Sequence, residues 1–233
     1  MSTSKPTNKI TTASDFTERL RHDSDYQTRL RQVESRRQES NEHQRLVTAP
    51  ILHDLRNAGF VVESLDELRH SGTDYKAAIP LLLRWLPLVT ETTVKDSIIR
   101  ALSIPNATEA ALPIIKEFKA TTGPVSNLKW TIANALVVIA NDSVFKEIAE
   151  LVRDKRNGKS REMFAVALGN MQNPAAVDLL MELLDDDEIA GHALIGLQKL
   201  KAKRARPLIE RFLKHPKAWV RKEASKALAS LER

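Results

Sequence analysis

Cysteine is absent from this chain of 233 residues. A disulfide framework, a thiolate metal site and a cysteine nucleophile are therefore excluded, and the composition fits a reducing compartment. Glycine occurs only 7 times, which leaves little material for loops that cradle phosphate. The sequence has no GxxxxGK[ST], GxGxxG or GxSxG. Its six histidines, His22, His43, His53, His70, His192 and His215, include no HExxH pair and no other metal-ligand spacing. No metal and no cofactor is expected. Long apolar runs are missing too, since a membrane span needs roughly 18 consecutive apolar residues. The N-terminal MSTSKPTNKITTASD lacks the apolar segment of a secretory signal. The expectation is a soluble, cytoplasmic protein that makes no use of a membrane.

Charge is plentiful but uneven. Residues 199–233 carry 12 Lys/Arg against 3 Asp/Glu, whereas residues 51–198 carry 15 against 20. The net charge of +6 thus comes mostly from one C-terminal block, which follows the acidic run Asp185-Asp186-Asp187-Glu188. A localised basic end attracts nucleic acid or an acidic protein. The alternative is a solvated polar cap on a terminal repeat.

What is abundant is repetition, read first because it sets the fold. Five nine-residue phrases align: VKDSIIRAL from Val94, LKWTIANAL from Leu128, SREMFAVAL from Ser160, IAGHALIGL from Ile189 and VRKEASKAL from Val220. They end at Leu102, Leu136, Leu168, Leu197 and Leu228, at intervals of 34, 32, 29 and 31 residues. Positions 1, 5, 8 and 9 are apolar or small in most copies, and these offsets share one side of a helix. Position 8 (Ala101, Ala135, Ala167, Gly196, Ala227) is always small, so another helix can approach there. A second helical stretch precedes each phrase, and Pro80, Pro113 and Pro207 recur at a matching point, marking a shared start or bend. Asn157-Gly158 and Asn173-Pro174 mark turns. The unit is helix–turn–helix, and stacking the units makes a continuous core.

These units resemble HEAT repeats, in the short form also found in phycobilisome-lyase-type proteins. ALGNMQNPAAVDLLMELLDDDE, residues 167–188, carries the resemblance best. Pro80, Pro113 and Pro207 match the family's first-helix proline, and Lys95, Lys129, Arg161 and Arg221 match its basic residue early in the second helix. The fourth repeat departs, with Ala190 at that basic position. The resemblance implies an all-α, right-handed α-solenoid of about five HEAT-like helical hairpins with an N-terminal helical extension. The repeats are expected at about 74–105, 106–141, 142–172, 173–200 and 201–233. The N-terminal quarter divides into a disordered tail over 1–13, a charged and mostly exposed helix over 14–47 with a sparse stripe of Phe16, Leu20, Tyr26, Leu30 and Val33, and a degenerate capping pair over 48–73.

Candidate binding residues on the expected concave face are Lys95, Lys129, Trp130, Arg161, Leu194, Arg221, Lys222 and Lys226. The four basic residues at phrase position 2 have two readings, a ladder that bonds turns and neighbouring carbonyls or a basic line open to a ligand. Trp130 stands at position 3, where other copies hold Asp96, Glu162, Gly191 and Lys222. Polar residues there imply exposure, so Trp130 is a candidate interface anchor. Leu194 and Ile195 are candidates for exposed apolar surface. The function expected is a non-enzymatic scaffold binding a protein or peptide. A second reading is nucleic-acid binding through the basic C-terminal repeat, including the activity of HEAT-like DNA glycosylases, for which Trp130, Asp96 and Arg100 are the nearby residues. A bilin-lyase-like accessory role is implied by the repeat subtype alone.

Overall fold

The structure, a computed structural model, describes residues 12–122 and 127–232, and every regular element among them is helical. The tail expected over 1–13 falls outside the described residues as far as residue 11. Helix α1 (Ala13–His22) follows, then α2 (Ser24–Asn57). Between them Asp23 accepts a hydrogen bond from the Tyr26 amide at 2.9 Å, the N-cap arrangement that satisfies an otherwise unpaired helix-terminal N–H. The boundary expected near residue 47 lies inside α2, which continues past Pro50, while the contacts of the chain divide it into two compact units at Leu46 and Val47. In the first unit Phe16, Tyr26, Leu30 and Val33 are exposed, and Gln27 Nε2 donates to the Leu20 carbonyl.

The second unit opens with the last turns of α2, where Ile51 and Leu55 are fully buried. A short helix α3 (Leu65–His70) follows. Five helical pairs come next: α4 (Ile79–Trp85) with α5 (Thr92–Leu102), α6 (Ala111–Ala120) with α7 (Asn127–Ile139), α8 (Phe145–Arg153) with α9 (Ser160–Leu168), α10 (Pro174–Glu182) with α11 (Ala190–Lys199), and α12 (Arg206–Glu210) with α13 (Ala218–Ser230). The second helices form a continuous layer, α3 against α5, α5 against α7, α7 against α9, α9 against α11 and α11 against α13, and each first helix packs on its own partner. This is a helical-repeat solenoid.

The phrase explains the stacking. Leu102, Leu136, Leu168 and Leu197 are fully buried, each burial stabilising by about 2 kcal/mol. Leu228 is only half-buried, because no later helix among the described residues covers α13. The exposed side of α13 carries Lys222, Ser225, Lys226 and Ala229. The small residue at position 8 is buried in every repeat. At Gly196 the need is strictest: a Cβ there would lie 2.8 Å from the Ala165 carbonyl oxygen and from Leu180.

The recurrent prolines start helices and do not bend them. A 3-10 turn precedes each helix, and Pro80 and Pro207 are the second residues of α4 and α12 while Pro113 is the third residue of α6. Their missing N–H is then one that the helix would leave unpaired anyway. The turns behave as their residues dictate. Asn173 caps α10 through its side chain, and Gly158 takes a positive φ of 50° after Asn157.

Cross-links at about the repeat interval join α2, the first helices and the 3-10 turns that follow them. Asp54 in α2 accepts from Arg84 Nη2 at 2.5 Å and from Trp85 Nε1 at 3.0 Å in α4. Lys119 pairs with Glu150, Arg153 with Glu182 and Arg211 with Asp185. The last three are exposed and contribute little each. Among the described residues no helix is long and apolar enough to cross a membrane.

Candidate surface on the second-helix layer

Phrase positions 3, 4 and 7 reach solvent in part, with Arg100, Trp130, Asn134, Lys222 and Lys226 exposed but Thr131, Val166 and Gly191 buried. In α5 they are Asp96, Ser97 and Arg100, and in α7 they are Trp130, Thr131 and Asn134. Arg100 Nε donates to Asp96 at 2.6 Å, and its Nη2 donates to Thr131 Oγ1 at 3.0 Å. Thr131 in turn donates to Asp96 Oδ1. This triad ties α5 to α7 and orients the Arg100 guanidinium. From α3 comes Arg69, whose Nη1 donates to Asp66 at 2.9 Å. Arg69, Arg100, Ser103, Trp130, Thr131 and Asn134 line an open depression of about 390 Å³. Arg69 and Arg100 also line an adjoining one, where Asp66 and Asp96 stand beside them.

A second cluster sits on α9, α11 and α13. His192 lies with its ring centroid 5.3 Å from that of Trp219 and its Nε2 3.8 Å from Glu162. His192 Nδ1 is buried without a hydrogen-bond partner. Burial holds the imidazole below its usual pKa, against the opposing pull of Glu162 and Glu223. Trp219 is 43% exposed but lies across Gly191 so closely that a Cβ there would be 2.0 Å from the indole. Glycine at phrase position 3 of the fourth repeat is the seat of this ring.

The basic residues at phrase position 2 serve as latches. Arg161 is 1% exposed. Its Nε donates to the Val152 carbonyl at 2.7 Å, Nη2 to Asp186 at 2.5 Å and Nη1 to Glu188 at 3.3 Å. Arg221 Nη1 donates to the carbonyls of His215 and Pro216. Lys95 is half-buried and pairs with Glu117 of the next repeat, and Lys129 stands 5.1 Å from the Phe118 ring centroid. Two expected surface residues are thereby corrected. Arg161 is spent inside the stack, and Leu194 is fully buried, because phrase position 6 faces the neighbouring helices. Ile195 is half-buried. The acidic run supplies the partners: Asp186 and Glu188 hold Arg161, and α11 begins at Ala190.

Trp130, Lys222 and Lys226 are exposed, Trp130 to 42%, and Lys226 pairs with Glu223 at 2.7 Å. Trp130 and Arg100 meet at one depression, while Lys222 and Lys226 lie three repeats away on α13. Asp96 is engaged by Arg100 and Thr131. Arg69 escaped the sequence reading because α3 lies outside the phrase register. Ser64-x-x-Glu67 was the available signal: Ser64 Oγ accepts from the Glu67 amide and Glu67 from the Glu63 amide, a capping pattern that opens α3 and places Arg69 in its last turn.

Comparison with protein families matches residues 160–186 to the PBS lyase HEAT-like repeat. The match covers α9, the turn and α10 into the Asp186 latch, and its period recurs across the second unit. The matched segment is a HEAT-like repeat. Comparison with curated proteins gave no match. Within the HEAT-like array the matched segment holds the best-buried latch, Arg161 with Asp186, whereas the Trp130 depression lies outside it.

Proposed function

We propose that this HEAT-like array is a non-enzymatic scaffold that binds a protein or peptide segment along its second-helix layer, with Trp130 as the anchor. One observation carries the reading. Trp130 is a large apolar side chain 42% exposed at a register position otherwise held by polar residues or glycine, and it borders a depression that also offers oriented guanidinium and amide groups. Aromatic and arginine side chains together are the residues that most often dominate binding energy at interfaces. A cytoplasmic setting belongs to the same proposal, since the chain has 0 cysteines to protect or to cross-link.

The test is a nuclease-treated pull-down from source-cell lysate with the native chain, Trp130→Ala and Lys222→Glu/Lys226→Glu. The scaffold reading expects a protein retained by the native chain and the lysine variant and lost from Trp130→Ala. The exposed lysines of the last repeat, Lys214, Lys217 and Lys222 among them, favour a second reading, phosphate-backbone binding. Nucleic acid recovered without nuclease, released by salt and lost in the lysine variant would replace the first reading with the second.

A further inference from the structure

The depression at Trp130 is chemically uneven in a way that selects its occupant. Arg69 is held through Nη1 and Arg100 through Nε and Nη2. Those bonds fix both guanidinium groups before any ligand arrives. They leave Arg69 Nε and Nη2 and Arg100 Nη1 with no partner among the described residues. A planar fork with spare N–H donors suits a carboxylate, which it grips through two parallel bonds. Beside these groups the Trp130 face offers an apolar plane that another ring covers well.

Asp66 and Asp96 line the adjoining depression with the same two arginines. Arg69 is paired with Asp66 and Arg100 with Asp96, so the four charges cancel, and a single carboxylate taken up by the spare N–H donors adds only one negative charge. A continuous run of phosphates would set its next charges against the two carboxylates. The surrounding segment 51–198 is itself net acidic, with 15 Lys/Arg against 20 Asp/Glu. The arrangement favours one anion flanked by uncharged or basic groups, which is a peptide and not a nucleic-acid strand.

We infer that the partner segment carries an acidic side chain that docks between Arg69 and Arg100 and an adjacent aromatic side chain that covers Trp130. This inference rests on the scaffold reading and narrows it to one class of peptide. The segment's residue on the Asp66 and Asp96 side is neutral or basic.

The experiment is a titration of the full chain, labelled with ¹⁵N, followed at the indole N–H signals of Trp85, Trp130 and Trp219, with Trp130→Phe assigning the middle one. The probes are two acetylated, amidated peptides, Gly-Ser-Glu-Phe-Ser-Gly and its Gln-Phe analogue, and a short oligothymidylate. The Glu-Phe peptide is expected to move the Trp130 signal saturably while Trp85 and Trp219 stay in place. The Gln-Phe analogue is expected to bind about tenfold more weakly or worse, the loss of a charge-assisted pair. Arg69→Gln and Arg100→Gln should each erase the difference between the two peptides, with unmoved Trp85 and Trp219 signals showing that the fold is kept. Equal response to both peptides, no response to either, or a preference for oligothymidylate overturns the inference. If the pull-down still loses its protein in Trp130→Ala while the peptides are not distinguished, the scaffold reading stands and only the carboxylate assignment falls. If both fail, both fall.

Discussion

Replacing Arg161 with methionine keeps most of the buried aliphatic volume and removes the guanidinium. Its consequences follow from the three acceptors left behind. The Val152 carbonyl loses a bond of 2.7 Å inside the stack, and an unsatisfied buried acceptor costs about 1–3 kcal/mol. Asp186, whose side chain is 17% exposed, loses its cation but keeps the amide of Glu188 at 3.1 Å. Glu188 is 73% exposed and turns to water, so its share is small. Breaking a buried pair from one side costs about 3–5 kcal/mol, and the residual access of Asp186 to water places Arg161→Met near the lower end, about 3 kcal/mol. Asp186→Asn leaves the buried Arg161 with only the exposed Glu188 as counter-charge and should also cost about 3 kcal/mol, and Glu188→Gln less than about 0.5 kcal/mol. Urea unfolding at neutral pH reads all three as shifts in midpoint. A loss below about 1 kcal/mol for Arg161→Met, or equal losses at Asp186 and Glu188, would refute the latch and return Arg161 to the list of surface residues.

The remaining predictions concern other contacts. Burial raises the Asp186 pKa, but the hydrogen bonds from Arg161 and the Glu188 amide outweigh it and hold the carboxyl below its ordinary 3.8. Its contribution to stability is complete well above pH 3.8 and is lost as the pH falls below that value through the lower folded one, a slope that Asp186→Asn should remove from an acid titration of the unfolding midpoint. His192 is held below 6.5 by burial. Stability should therefore decline as the pH falls from 6.5, and His192→Gln should flatten the unfolding midpoint between neutral and mildly acid pH. Gly191→Ala should be destabilising in the native chain, because its Cβ meets Trp219, yet stabilising by up to about 1 kcal/mol beside Trp219→Ala, where only helix propensity remains. Calorimetry of the double-mutant cycle shows whether the sign changes. Trp130→Ala should leave stability within about 1 kcal/mol of native, since close to half of the residue stays in water; a larger loss in urea unfolding would make Trp130 a packing residue.

The architecture was legible because packing writes a period into the chain. The leucine that closes each phrase must be buried, the residue before it must be small, and both recur at the spacing of one helical pair. The prolines left their role open, since a start and a bend look alike in sequence. The 3-10 turns before α4, α6 and α12 decide for the start. The candidate surface was half legible. Trp130 stood out as an aromatic at a polar position, but Leu194 looked equally available because phrase position 6 varies between Ile99, Ala133, Ala165, Leu194 and Ser225. Its burial depends on which neighbour covers that side, and sequence spacing does not report that. Arg161 and Lys222 are alike in type and differ in fate, since an acidic turn lies within reach of one and a solvated end surrounds the other. Arg69 belongs to a helix outside the repeat register, so only a local capping pattern pointed toward it.

Ligand is proposed to meet this chain on the second-helix layer beside Trp130. Photo-cross-linking tests this placement most directly. Asn134, exposed and next to Trp130 on α7, is replaced by p-benzoylphenylalanine, and exposed Lys116 on α6 is replaced likewise as the comparison. Position 134 is expected to capture a protein in source cells, through a peptide carrying an acidic residue beside an aromatic one, and position 116 is not. Capture from position 116 alone, or equal capture from both, would contradict the placement.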